Sequence, residues 1–187
     1  MGAVVLDKFS VVNTFGTDLK GKGEFAEEDF IKYFHSNPKN KGKMLHDVRD
    51  KTEYHNVDID FVIDNQGLNI LPDINTVLTD KKRFTTIEVK YSGPALNTGN
   101  LAYELVSHSR LGWGAITKCD FLYIVFGDKN IICAKKRGII NLNEWKKFIN
   151  DRSNYTKVYI NNSENTIVNI LTKLDEMEKK GVLTYIN

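Results

Sequence analysis

Two short segments with alternating apolar and polar residues constrain this chain most. Residues 85–90 (TTIEVK) and 57–63 (VDIDFVI) both have the two-residue period of a β-strand. Glu88 and Lys90 then project from one strand face, because side chains two positions apart share a face, and the other strand supplies Asp60. Carboxylates bind a hard divalent cation, and a lysine beside them steadies or deprotonates a water. These residues are the minimum parts needed for metal-assisted phosphodiester cleavage.

An isolated Glu-x-Lys pair is also typical of an ordinary ion pair on an exposed strand face. The apolar residues around this pair, and a carboxylate on a separate strand, favour a site instead. Asp58 has the same strand parity as Asp60, so either side chain is a candidate ligand.

Residues near 24–36 have the apolar spacing of a helix, because Ala26, Phe30 and Phe34 recur on one face. Glu27 lies at the edge of that face. It is either directed at the predicted site or one of several acids that complement the helix dipole. Glu24 is the second choice for a site acid.

Asp60 followed by Glu88-x-Lys90 resembles the PD-(D/E)xK nuclease superfamily. Asp60 fits that pattern better than Asp58, because an Ile-Asp-Phe sequence leads into an apolar run. The resemblance implies an α/β, restriction-endonuclease-like fold, with a central mixed β-sheet flanked by helices. It also implies that Asp60, Glu88 and the backbone carbonyl of Val89 bind the metal, and that Lys90 acts in catalysis.

Two further motifs extend the resemblance. The spacing Gly23-x-x-x-Glu27 resembles the Holliday-junction-resolvase branch and implies a catalytic role for Glu27. Residues 97–104 (NTGNLAYE) resemble a run in phage-type members. Glu104, in a strand expected near 101–106, is either a further acid facing the site or a solvent-facing residue. His108 is more typical of a surface or core histidine than of a general base.

The function expected from this resemblance is that of a Mg²⁺-dependent DNA endonuclease, with Mn²⁺ as a substitute metal. Its substrate is duplex or branched DNA, and cutting both strands calls for a homodimer or two encounters. The alternative is a catalytically inactive protein of the same fold that binds nucleic acid or inhibits host defence. A third interpretation is a protein-interaction domain with a fortuitous Glu-x-Lys pair.

A net charge of +2 does not by itself indicate a nucleic-acid-binding protein, but bulk charge hides local fields. The lysines expected to contact nucleic acid lie before the first helix and in the loop after it: Lys20, Lys22, Lys39, Lys41 and Lys43. An ordinary solvated loop explains the second group equally well.

With 187 residues, the chain predicts a single nuclease-like domain, residues 1–187, with a helical C-terminal segment from about 141 to 187. No apolar run suits a bilayer and no signal peptide is evident, so we expect no membrane association. Two cysteines without metal-ligand spacing suit a reduced, cytoplasmic, intracellular protein. Phage or mobile-element origin is a further expectation.

Other elements are expected from the same periodicities. They are strands near residues 3–13, 121–127 and 130–135, the last two as a hairpin, a helix from about 143 to 150, and a helix from Ser163 to Gly181.

Overall fold

The computed structural model describes residues 18–107, 110–162 and 165–186. The strand expected near residues 3–13, His108 and the expected helix cap at Ser163 lie outside these ranges. Within them, no helix has the length and apolar character needed to cross a membrane.

The helices and strands follow one another in mixed order along the described ranges. The helices are Asp18–Ser36 (α1), Thr52–His55 (α2), Ile74–Thr79 (α3), Ala95–Thr98 (α4), Trp113–Ile116 (α5), Leu142–Phe148 (α6) and Leu174–Lys179 (α7), with 3₁₀ turns at Pro38–Asn40 and Arg152–Asn154. The strands are Met44–Asp47 (β1), Phe61–Asp64 (β2), Phe84–Ser92 (β3), Asn100–Ser107 (β4), Arg110–Leu111 (β5), Phe121–Phe126 (β6), Lys136–Asn141 (β7), Tyr155–Asn162 (β8), Asn165–Lys173 (β9) and Leu183–Ile186 (β10).

A six-stranded sheet with the order β1-β2-β3-β6-β7-β10 forms the centre of the fold. β3 and β6 run parallel, whereas the other neighbouring pairs are antiparallel. A parallel pair needs a long crossover, which here contains α4, β4, β5 and α5. The expected α/β fold with a central mixed sheet and flanking helices is thereby confirmed.

Helix α1 covers one face of this sheet. Phe30 packs against Phe61 and Tyr123, with ring centroids 5.0 and 5.1 Å apart. Asp29, on the same helix, accepts hydrogen bonds from the Tyr123 hydroxyl at 2.7 Å and from the Arg137 guanidinium at 2.6 and 2.7 Å. Burial alone would raise the pKa of Asp29, but these hydrogen bonds lower it below its usual value. Apolar packing and an ion pair together fix α1 on the sheet.

A second, four-stranded sheet with the order β5-β4-β9-β8 lies on the other side. Its buried residues Leu101, Tyr103 and Ile170 belong to the same core as Leu122 and Ile124 of the central sheet. One continuous apolar core therefore joins the two sheets, and the face of β3 that is turned away from α1 borders it.

The helical C-terminal segment expected over residues 141–187 is wrong for most of its length. Residues 165–173 form β9, which pairs with β4 on one side and β8 on the other. Val168, Ile170 and Thr172 are buried at alternate positions, a strand period that was hidden among apolar residues also compatible with a helix. Helix α7 is limited to Leu174–Lys179, whereas α6 at Leu142–Phe148 agrees with the helix expected near 143–150.

The expected hairpin is also displaced. β6 pairs with β7 at Lys136–Asn141, not with residues 130–135, which belong to a loop over residues 127–135. The Tyr91 hydroxyl of β3 holds this loop: it accepts from the Asp128 amide at 3.0 Å and lies within 3.2 Å of three loop carbonyl oxygens. Local hydrogen bonds to one side chain thus replace the ladder expected there.

Candidate active site

Strand β3 alternates between two environments, and this separates its polar from its apolar residues. Ile87 and Val89 are buried beneath α1, in the cluster that contains Phe30. Glu88 and Lys90 therefore project from the opposite face of the sheet, as the strand period predicts.

Asp60 lies where the β2–β3 ladder ends. Its amide donates to the carbonyl of Ile87 at 3.0 Å, and its carboxylate Oδ2 accepts from the amide of Val89 at 2.8 Å. The Asp60 side chain thus accepts the hydrogen bond that a backbone carbonyl would accept if the β2–β3 ladder continued by one more position. This bond fixes the Asp60 carboxylate beside the segment that carries Glu88 and Lys90.

Glu88 and Lys90 form an ion pair through Glu88 Oε1 and Lys90 Nζ. Glu88 is only 1% exposed, and its other oxygen, Oε2, is buried without a hydrogen-bond partner. Burial raises the pKa of Glu88 well above its usual value, and the neighbouring Asp60 and Asp58 carboxylates add to the rise, although Lys90 opposes it. The Glu88 carboxyl group therefore lies in surroundings that disfavour its charged form, with Lys90 as its compensating cation.

Asp58 is also at the site, although not on a strand as expected. It lies in the turn after α2, before β2 begins at Phe61, with a left-handed φ of 55°. Its Oδ2 is buried without a hydrogen-bond partner and lies 3.6 Å from Lys90 Nζ. Few residues other than glycine adopt this conformation, and aspartate in a turn is one of those that tolerate it. The structure thus brings both candidate ligands, Asp58 and Asp60, to Lys90.

The pKa values of Asp60 and Lys90 reflect this crowding. Burial raises the pKa of Asp60 to about 6, with smaller contributions from the negative charges of Glu27 and Asp58 and opposition from the Val89 amide and Lys90. Burial would lower the pKa of Lys90, but the Glu88 and Asp58 carboxylates outweigh it and raise the value above the usual one. Lys90 is therefore a cation at neutral pH.

Glu27 lies on α1, and its negative charge makes a small contribution to the raised pKa of Asp60. Its carboxylate makes an ion pair with Arg49, which also binds the Asp47 carboxylate at 2.5 Å. Arg49 was not foreseen from the sequence, where its only signal is its position two residues after an acid. Glu24, the second choice, lies exposed on the same helix.

The metal implied by the resemblance would bind among these donors. Among residues 18–107, 110–162 and 165–186, no three His, Cys, Asp or Glu side chains form a group that could hold a metal ion. The expected donor set is different, since it consists of Asp60, Glu88 and the Val89 carbonyl. The unpartnered oxygen of Glu88 and the raised pKa values of both carboxylates are features that a bound cation would relieve. The residues present fit Mg²⁺.

The lysines expected to contact nucleic acid are dispersed. Lys39 and Lys41 are exposed, and Lys43 is partly exposed. Their loop leads into β1 at Met44, which pairs with Asp64. The loop therefore lies roughly 15 Å from Asp60 along the strand direction. Lys22 is 8% exposed and donates to the carbonyl of Lys129 at 2.8 Å, so it is not an exposed phosphate contact. The side chain of Lys20 lies outside the described part of the structure.

Trp113 is a site neighbour to which the sequence analysis assigns no role. Lys90 Nζ lies 5.4 Å from the centroid of its indole ring, within reach of a cation–π contact. A cavity of about 330 Å³ adjoins this pair and is also lined by Glu104 and Asn169.

Comparison with known proteins adds no relative: no protein-family model, curated protein or solved structure matches this chain.

Proposed function

We propose that this protein is a Mg²⁺-dependent endonuclease that hydrolyses DNA phosphodiester bonds and has a restriction-endonuclease-like fold. One observation carries the proposal. Asp60, which immediately precedes β2, comes together with Glu88 and Lys90 of β3, although nothing in apolar packing requires this, and a Glu88 oxygen remains buried without a partner. Burying such a group costs stability, so its retention favours a functional reason.

Each side chain would have a separate task. Asp60, Glu88 and the Val89 carbonyl would hold the cation, whose charge offsets that developing on the scissile phosphate and makes a water a better nucleophile. The Val89 amide fixes the orientation of the Asp60 carboxylate. Burial of Glu88 excludes water from one side of the site, so charges there act through a lower dielectric.

Lys90 supplies positive charge. Because its pKa is raised, its ammonium donates hydrogen bonds and does not act as a base. It would orient the attacking water or stabilise a phosphate oxygen, and its pairing with Glu88 holds it in position before substrate arrives. Glu27 would support the site from outside through its charge on Asp60, with its own side chain held by Arg49.

In the decisive experiment, the purified protein is incubated with supercoiled plasmid, a four-way DNA junction, single-stranded DNA or RNA. Each substrate is assayed with Mg²⁺, with Mn²⁺ and with EDTA. We expect cleavage of a DNA substrate with either metal and none in EDTA. Glu88→Gln and Lys90→Ala should each lower the rate by at least about a hundredfold, typical of losing a group that stabilises transition-state charge. Asp50→Asn, which neutralises an exposed acid, is the matched control and should cleave normally.

Two outcomes would count against the proposal. Cleavage that survives in Glu88→Gln would exclude this site as its source. Binding of DNA without cleavage under every metal condition would instead support the alternative function, an inactive nuclease fold that binds nucleic acid or inhibits host defence.

A further inference from the structure

The cavity beside Lys90 has the composition of a nucleobase site. Its walls include the apolar side chains of Leu101 and Ile124, the indole of Trp113, and the polar residues Glu104 and Asn169. At about 330 Å³ it is at the small end of ligand pockets, which are mostly apolar with a few polar groups that fix orientation. It accommodates a single planar ring system and not an extended ligand.

The local backbone is built to present Trp113. Gly112 and Gly114 flank it, and a Cβ on Gly112 would lie 2.5 Å from the Glu104 carbonyl oxygen and 2.7 Å from Glu104 Cγ. Neither backbone nor side chain leaves room for a larger residue there. The indole packs on Tyr103 with ring centroids 5.1 Å apart, which fixes its orientation in the cavity wall.

The polar residues are also paired by the fold. Glu104 on β4 and Asn169 on β9 are direct cross-strand partners. Such partners have Cβ atoms about 5 Å apart, so a carboxylate and an amide line the cavity together. A carboxylate accepts from two neighbouring N–H groups at once, and among the DNA bases guanine offers such a pair on its Watson–Crick edge, at N1 and N2.

We infer that this cavity binds an unpaired nucleobase, guanine in preference to the others, stacked on Trp113. The inference rests on the proposed function: Lys90 joins the carboxylate site to the indole, so the base would belong to a nucleotide next to the scissile phosphate. The substrate class is then DNA with at least one unstacked base at the cut, as in a single strand or a branched junction.

The test compares short single-stranded DNA oligonucleotides in EDTA, where no cleavage is needed. A guanine is placed at each position in turn and compared with an abasic residue, which keeps every phosphate and removes only the base. At one position, loss of the base should weaken binding to the wild type about tenfold, a typical contribution of one stacked base. Trp113→Leu should abolish this difference and Trp113→Phe should retain most of it. An equal loss in wild type and Trp113→Leu at every position would overturn the inference.

Intrinsic fluorescence provides a readout independent of affinity. The chain has two tryptophans, and Trp145 is only 2% exposed, so Trp113 should account for the acrylamide-sensitive signal. Bound oligonucleotide should protect that signal, and Trp113→Phe should show no protection. Unprotected Trp113 in the saturated complex would contradict a base in this cavity.

Guanine preference is tested separately with inosine, which lacks the N2 amine. Wild type should bind guanine more tightly than inosine, and Glu104→Gln should bind both equally. No difference in the wild type would overturn the guanine assignment. Base-dependent binding without cleavage on any substrate would refute the nuclease proposal and uphold the subsite. Cleavage with no base-dependent binding would do the reverse.

Discussion

Replacing Asp60 with asparagine should stabilise the metal-free protein, although it removes a predicted metal ligand. Asparagine keeps an oxygen that accepts the Val89 amide and removes only the charge. Burial raises the pKa of Asp60 to about 6 from 3.8, so the folded state favours the protonated carboxyl. A carboxyl with a raised folded-state pKa lowers stability as pH rises above the unfolded value, and the loss is complete above the folded value.

The magnitude follows from the same two pKa values. At pH 8 the charged carboxylate costs the fold about 3 kcal/mol, since one pH unit of difference is worth about 1.4 kcal/mol. At pH 4.5 the cost shrinks to about 1 kcal/mol. For a chain of this length, about 3 kcal/mol corresponds to a rise in Tm of roughly 6–12 °C. Relief of repulsion on Glu88 adds to the gain in the same direction.

Urea unfolding in EDTA at the two pH values measures the effect, with Asp50→Asn as the exposed control that should change stability by less than about 0.5 kcal/mol. An Asp60→Asn protein that is no more stable than the wild type at pH 8 would refute the reasoning. So would a gain in stability that is the same at pH 8 and pH 4.5.

Three further predictions concern the metal, the first helix and the core. Saturating Mg²⁺ should raise the Tm of the wild type, because a ligand at a hundred times its Kd stabilises by about 2.7 kcal/mol, and thermal melts of Asp60→Asn and Glu88→Gln should lack that rise. Glu27→Gln should slow cleavage about ten- to a thousandfold, whereas Glu28→Gln, at the exposed adjacent position, should not. Equal plasmid-cleavage rates for Glu27→Gln and the wild type would mean that Glu27 has no role in the site. Asp29→Ala should lower the free energy of unfolding, measured in urea at pH 7, by about 2–4 kcal/mol. The difference from the wild type should shrink as pH falls below 3.8, because the wild type then loses the stability linked to the lowered pKa of Asp29. A difference that does not change with pH would contradict this.

The central part of the fold could be predicted because its strand signals are strong. The alternating residues 85–90 lie within β3 at Phe84–Ser92, and their alternation places Glu88 and Lys90 on one face. The approach of Asp60 to that strand followed from pairing two neighbouring apolar strands. The sequence predicts a helix where β9 lies because the buried residues of β9 continue into α7, and only pairing with β4 and β8 decides between the two periods.

The remaining site features depend on contacts that periodicity does not encode. The left-handed turn at Asp58 and the ion pair between Glu27 and Arg49, 22 positions apart, arise from loop conformation and tertiary packing. Burial of Lys22 likewise depends on a carbonyl of the distant loop over residues 127–135, so a lysine that looks suited to phosphate contact is a structural residue.

That loop has a consequence for the precision of the site. Tyr91 follows Lys90 directly on β3, and its hydroxyl is bonded to the loop, while Lys22 ties the same loop to α1. The loop thereby holds the C-terminal end of β3 from the face opposite to that of Glu88. Gly127 lies so close to the Tyr91 ring that a side chain at position 127 would have no space. Local opening of the loop and loss of the Lys90 position should then be one event. Hydrogen exchange at the Asp128 amide would report this opening. The Asp128 amide should exchange more slowly than its exposed loop neighbours, and its exchange should occur together with the loss of the Lys90 ammonium position.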